Sequence, residues 1–144
     1  MTNEVALRLD RDDPLIAVVG ATDQPGKYGG IIYRNLKAKG YRVVGVNPGR
    51  ATVDGDQAFA SLADLPEQPD IVNVVIPPSR TLLLLDEVAK IDDGAVWIQP
   101  GAADEAVRAR VEELGLPSLI DACIMVIARQ RPGSMETSES QDNR

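Results

Sequence analysis

The chain has no histidine and a single cysteine, Cys123, among its 144 residues. Without histidine there is no Ser-His-Asp triad, no Cys-His pair, no HExxH zinc helix and no imidazole general base. One cysteine excludes an internal disulfide framework and a cysteine-rich zinc site. No apolar run reaches the roughly 18 residues that a membrane span needs, so none is expected. The opening Met1-Thr2-Asn3-Glu4 is acidic rather than basic and precedes no apolar leader core. No secretory signal is read there, and a cytoplasmic location is expected.

Positive charge is also scarce. Fifteen Lys and Arg face 22 Asp and Glu, for a net charge of −7. That balance argues against nucleic acid or an anionic membrane surface as the main partner. The shortage is uneven, however. Gln24 to Val53 carries six basic residues (Lys27, Arg34, Lys37, Lys39, Arg42, Arg50) and no acid, whereas Asp54 to the end carries seventeen acids and seven bases. A locally positive segment in an acidic protein is either a site for a small polyanion or a solvated helix face.

What is present describes one soluble globular domain: 44% hydrophobic and 26% charged residues in a chain long enough for a single core. Residues 1–13 are charged and without clear period, and are expected as an N-terminal arm with a short helix over Asn3 to Leu9. Residues 133–144 are polar with one large apolar side chain, Met135. They cannot offset their own ordering entropy and are expected to be a disordered acidic tail. The folded domain is expected at 14–132.

Within it, apolar runs alternate with amphipathic segments. Leu15 to Gly20, Tyr41 to Val46, Asp70 to Ile76, Ala95 to Gln99 and Ser118 to Ile120 read as strands buried on both faces. Helical patterns lie between them: Gly30 to Lys39 closed by Gly40, Arg80 to Ile91 capped by Ser79, and Asp104 to Leu114 closed by Gly115 and Pro117. A short helix is expected over Leu62 to Leu65. Trp97 reads as core, and Leu82 to Leu85 as a buried helix face. The rhythm predicts a Rossmann-like, doubly wound α/β fold with about five parallel strands in the order 3-2-1-4-5.

In such a sheet a ligand sits beyond the carboxyl ends of the strands, where the strand order reverses. Four loops arrive there: Gly20 to Gly30, Asn47 to Arg50, Ile76 to Ser79 and Gln99 to Gly101. The first is glycine-rich and opens a helix, whose amides and dipole favour an anion such as pyrophosphate, with Lys27 adding a full charge. The competing reading is that its glycines only permit tight turning and close packing. GxGxxG is not matched, because Thr22 stands two places after Gly20. No carboxylate follows the second strand to bind a ribose, and Arg50 suits a phosphorylated ribose instead, as in NADP or a 3′-phosphorylated nucleotide. A P-loop is excluded, because Tyr28 stands where Ser or Thr is required.

The blocks Val18-Val19-Gly20-Ala21-Thr22-Asp23-Gln24-Pro25-Gly26-Lys27, Gly40 to Pro48, Ser61 to Pro66 and Asp121-Ala122-Cys123-Ile124, in this order, resemble the small single-domain CoA-binding protein family. More distantly they resemble the CoA-binding domain of the succinyl-CoA synthetase α subunit. The resemblance implies a non-enzymatic or regulatory protein that holds coenzyme A or a short acyl-CoA. It implies a site drawn from Gly20, Ala21, Thr22, Gly26, Lys27 and Tyr28 around the phosphates, with Asn47 and Pro48 beside the adenosine and Arg50 on a phosphate. Ile76, Pro77 and Pro78 would line the other side, and Gln99 would border the pantetheine arm. The chain departs from the family after the cysteine, where Met125 and Ala128 stand in a stretch that often holds a basic residue and a histidine. The histidine phosphorylated in the synthetase lies in a second domain, so ligase chemistry is not expected. Cys123 reads either as a thiol that exchanges with that of coenzyme A or as a small buried hydrophobe ahead of a helix. Two other readings stay open: an NADP-dependent oxidoreductase, and a CoA-sensing module that docks a protein partner or forms a homo-oligomer.

Overall fold

The structure, a computed structural model, describes residues 3–132. The tail expected at 133–144 lies outside the described residues. Seven strands form one sheet: β1 (Leu15–Val19), β2 (Arg42–Val46), β3 (Thr52–Val53), β4 (Asp56–Phe59), β5 (Ile71–Val74), β6 (Val96–Ile98) and β7 (Ser118–Ile120), in the order β3-β4-β2-β1-β5-β6-β7. Every neighbouring pair is parallel except β3 with β4. Five α-helices accompany it among the described residues: α1 (Glu4–Leu7), α2 (Tyr28–Ala38), α3 (Pro78–Val88), α4 (Glu105–Leu114) and α5 (Ile124–Ile127).

The two faces follow from strand alternation. Ile16, Val18, Ile71 and Trp97 point to one side, where Val5 of α1, Ile32, Tyr33 and Leu36 of α2 and Ile124 of α5 cover them. Ala17, Val19, Val72, Val74, Val96 and Ile98 point to the other, under Leu84, Leu85 and Val88 of α3 and Val107 and Val111 of α4. Because both faces are buried, the strands read as continuous apolar runs. Each fully buried valine or isoleucine contributes about 1.5–3 kcal/mol relative to exposure. Val5 and Leu9, ahead of the expected domain start, join this core, and the buried Arg8 guanidinium donates to the Asp70 and Asp93 carbonyls and to the Asp93 carboxylate.

Three details correct the sequence reading. The strand expected third, at Asp70 to Ile76, does not lie outside β2. It pairs with β1, and the outer place is taken by β4, part of a hairpin outside the five expected strands. This hairpin is short and polar, with Asp56 and Gln57 in it, so it shows no apolar run. Its Asp54-Gly55 turn, both residues at positive φ, was the signal that could have found it. Second, α3 begins at Pro78 with Pro77 as its N-cap, ahead of the expected Ser79. Proline at the first helical position has its φ preset and no amide to leave unpaired. Third, Leu83 is 71% exposed in the expected leucine face. A helix advances about 100° per residue and cannot bury four consecutive side chains.

The basic segment is mostly paired. Lys37 bridges Asp54 at 3.1 Å and Asp56 at 2.9 Å, Arg42 meets Glu67 and Asp13, Arg50 meets Asp23, and Lys39 donates to the Met125 and Ala128 carbonyls. The buried Tyr33 hydroxyl donates to Asp56 at 2.7 Å, tying α2 to the hairpin. Lys37 and that hydroxyl hold the Asp56 carboxyl below its usual range. Burial, then Asp56, pushes the Tyr33 phenol well above its own.

Candidate functional site

The sheet order reverses between β1 and β5, and a crevice opens there at the strand ends. Its volume is about 340 Å³. From one side comes the first turn of α2, from the other the first turn of α3. Neither helix has a side chain capping its N-terminus or an acid in its first turn. Elsewhere the protein fills such ends itself: Asn3 caps α1 and Asp104 caps α4. Unsatisfied amides and the positive ends of two dipoles therefore meet at one crevice.

The glycines make this approach possible. Gly20 lies at φ +106, and a Cβ there would stand 2.7 Å from the Val75 carbonyl oxygen. The Gly20 amide donates to Val46 O, so its role is to turn the chain where β1 meets β2 and β5. The close-packing reading of the first loop is thus part of how the loop works.

Of the residues expected in the site, Gly20, Thr22, Lys27, Tyr28, Asn47, Ile76 and Pro77 line the crevice. Pro48 lines an adjoining hollow of about 290 Å³, walled by Val46, Leu62 and Leu83, which shares Ile76 and Arg80 with the crevice. Asn47 braces the two loops: its Nδ2 donates to Ala21 O and its Oδ1 accepts from Gly49 N–H, each at 2.9 Å.

Five expected residues are placed elsewhere. Ala21 is wholly buried in the core. Gly26 sits in an open turn at φ +79, with nothing within 4 Å of a Cβ. Arg50 is held on Asp23 and Thr22. Pro78 opens α3. Gln99 is 4% exposed, and its Oε1 accepts from Ile124 N–H at 2.9 Å, so it anchors the start of α5 from beneath. Cys123, the residue before that helix, is partly buried.

Sequence reasoning missed Arg80, which lines both crevice and hollow. The signal was its position in the first turn after the loop at Pro77, at the reversal of strand order. Neither Lys27 nor Arg80 has a carboxylate partner among the described residues. Among the described residues, no carboxylate and no thiol line the crevice. A larger hollow of about 610 Å³ adjoins at Ser61, Leu62 and Glu87, but it lies against the C-terminal end of α3, at Glu87, Lys90 and Ile91. That end of a dipole repels anions, so the smaller crevice is the better anion site.

The chain is similar to known proteins in sequence and in fold. A family model described as a CoA binding domain matches residues 15–129. The Bacillus subtilis protein YneT, itself uncharacterized, is 30% identical over 111 residues, 77% of this chain and 82% of its own. The ADP-forming acetate–CoA ligase I of Archaeoglobus fulgidus is 31% identical over 94 residues, which is 65% of this chain but 14% of the ligase. A solved structure of a conserved hypothetical protein from Pyrococcus furiosus superposes with a TM-score of 0.75 at 36% identity, covering 78% of this chain and 97% of that one.

Proposed function

The chain belongs to the family of CoA binding domains, and from that premise we propose that it is a binding module for coenzyme A or a short acyl-CoA, with no catalytic step of its own. The observation that carries this reading is the pair of uncapped helix N-termini meeting at one crevice beside Lys27 and Arg80, two cations without carboxylate partners among the described residues. Amides and cations of this kind suit a diphosphate. Thr22 and Tyr28 flank it, and Gly26 lets the loop turn clear of it.

The apolar hollow beside Pro48 suits the adenine ring, and Arg50 reaches the phosphorylated ribose. The pantetheine arm runs over the ends of β6 and β7, above Pro78 and the helix that Gln99 anchors. Ala21 acts from the core, by holding the loop. The absence of an acid, thiol or imidazole from the crevice lining favours holding over transforming. The acetate–CoA ligases contain this domain as a small part of their length; ligase chemistry belongs to what lies outside it.

Calorimetric titration with coenzyme A, NAD and NADP tests the proposal. Micromolar binding of coenzyme A without NAD binding is expected. NADP binding without coenzyme A binding would replace it with the oxidoreductase reading. Native mass spectrometry of the protein as purified would show a retained ligand by its mass.

A further inference from the structure

Arg50 stands in the loop after β2, where a sheet of this type places the ribose, yet it is not among the residues lining the crevice. Its guanidinium lies instead on the loop after β1. One terminal nitrogen reaches Asp23 Oδ2 at 3.3 Å, the other reaches Thr22 Oγ1 at 3.4 Å, and Nε reaches Thr52 O at 3.3 Å. All three lie at the long end of the hydrogen-bond range, against 2.8 Å for both arms of the Arg42–Glu67 pair. Asp23 is better anchored than its partner. Its Oδ1 accepts from Asp54 N–H at 2.8 Å, and Asp54 is fixed in the hairpin turn at φ 52. The cation is loosely held by an acid that is itself held tightly.

We infer that Asp23 is a resident counter-ion for Arg50, and that it sets how strongly the site distinguishes a phosphorylated ribose from a free ribose hydroxyl. This deepens the coenzyme A reading and rests on it. A phosphate monoester carries nearly two negative charges where a carboxylate carries one. A ribose phosphate arriving beyond β2 therefore draws the guanidinium off Asp23. Asp23 keeps its amide partner and stays close to the incoming dianion, a like-charge cost. A ligand without that phosphate leaves the pair intact and meets no such cost. Asp23 thus lowers affinity for the phosphorylated nucleotide selectively.

The test is calorimetric titration of the full chain with coenzyme A and with dephospho-CoA, which differs by that one phosphate. Asp23→Asn keeps the acceptor for Asp54 N–H and removes the charge. It is expected to tighten coenzyme A about threefold or more while moving dephospho-CoA by less than about twofold, a shift on the scale of one exposed ion pair. Arg50→Gln should weaken coenzyme A about threefold or more while moving dephospho-CoA by less than about twofold, and in that background Asp23→Asn should still tighten coenzyme A, because the like-charge contact with the phosphate remains. Weaker coenzyme A binding in Asp23→Asn, or an equal change for both ligands, overturns the inference and leaves the coenzyme A reading standing. Wild-type protein that binds neither ligand overturns both.

Discussion

Gly29, in the first turn of α2, is set against Gly20 with no room for a side chain: a Cβ there would collide with the Gly20 carbonyl oxygen and stand 3.2 Å from Ala21 Cα. Gly30 is related to the Thr22 carbonyl in the same way. These contacts press the first turn of α2 onto the end of β1, so that its amides open at the crevice. Gly29→Ala would gain at most about 1 kcal/mol of helix propensity and lose about 1–3 kcal/mol to overpacking against backbone. Lower stability in urea unfolding and weaker coenzyme A binding are expected together. Wild-type values for both would show that the contact does not place the helix.

Lys27 and Arg80 approach the crevice from opposite helices. Lys27→Glu and Arg80→Glu should each weaken coenzyme A binding at least about tenfold, the scale of one charge-assisted contact, about 1.5–3 kcal/mol. Lys90→Glu changes a cation beyond the end of α3 and serves as the control, with affinity expected within about twofold of wild type. Unchanged affinity in Arg80→Glu would remove that residue from the site.

The Tyr33–Asp56–Lys37 cluster predicts pH dependence at both extremes. Asp56 is held below the usual carboxylate value of about 3.9. Its contribution is complete above about pH 4 and is lost as pH falls through the folded-state value. The Tyr33 phenol is pushed above its usual value of about 10. Its contribution is present below about pH 10 and is lost as pH rises further. Urea midpoints measured across pH should fall at both ends. Asp56→Asn should flatten the acid limb and Tyr33→Phe the alkaline one, whereas unaltered limbs would assign the losses to other groups.

Asn73 lies on β5 between Val18 and Trp97, wholly buried, and neither atom of its amide has a hydrogen-bond partner among the described residues. An unpaired buried amide costs about 1–3 kcal/mol. Asn73→Val puts a strand-favouring apolar side chain in its place and should raise thermal stability without altering coenzyme A affinity. A clear loss of stability would mean that the amide is satisfied by a buried water.

Much of this was legible along the chain. The five apolar runs became β1, β2, β5, β6 and β7, and Gly40, Asp104 and Gly115 stand at helix ends as read. The first loop and the Ile76-Pro77 loop do meet at one crevice. The hairpin escaped because two- and four-residue strands show too few alternations to declare a period. Arg80 escaped because its only signal is its place in the first turn after Pro77, and that turn reaches the crevice only through the strand order. Gln99 looked like a site residue because it ends β6, and only the packing of α5 above it turned its side chain to a backbone amide.

Local pattern by itself determined the class of fold, the strands buried on both faces and the loops that gather at their carboxyl ends. Periodicity and capping act between residues a few positions apart, so they can be read without knowing what lies across the sheet. Which cations stay available to a ligand was decided only by tertiary structure. Lys37 finds Asp54 17 positions away and Arg42 finds Glu67 25 away, whereas Arg50 is held only loosely by Asp23, 27 away, and Lys27 stands beside Arg80 at the crevice. Charge pairing depends on distance in space, and the strand order sets that distance.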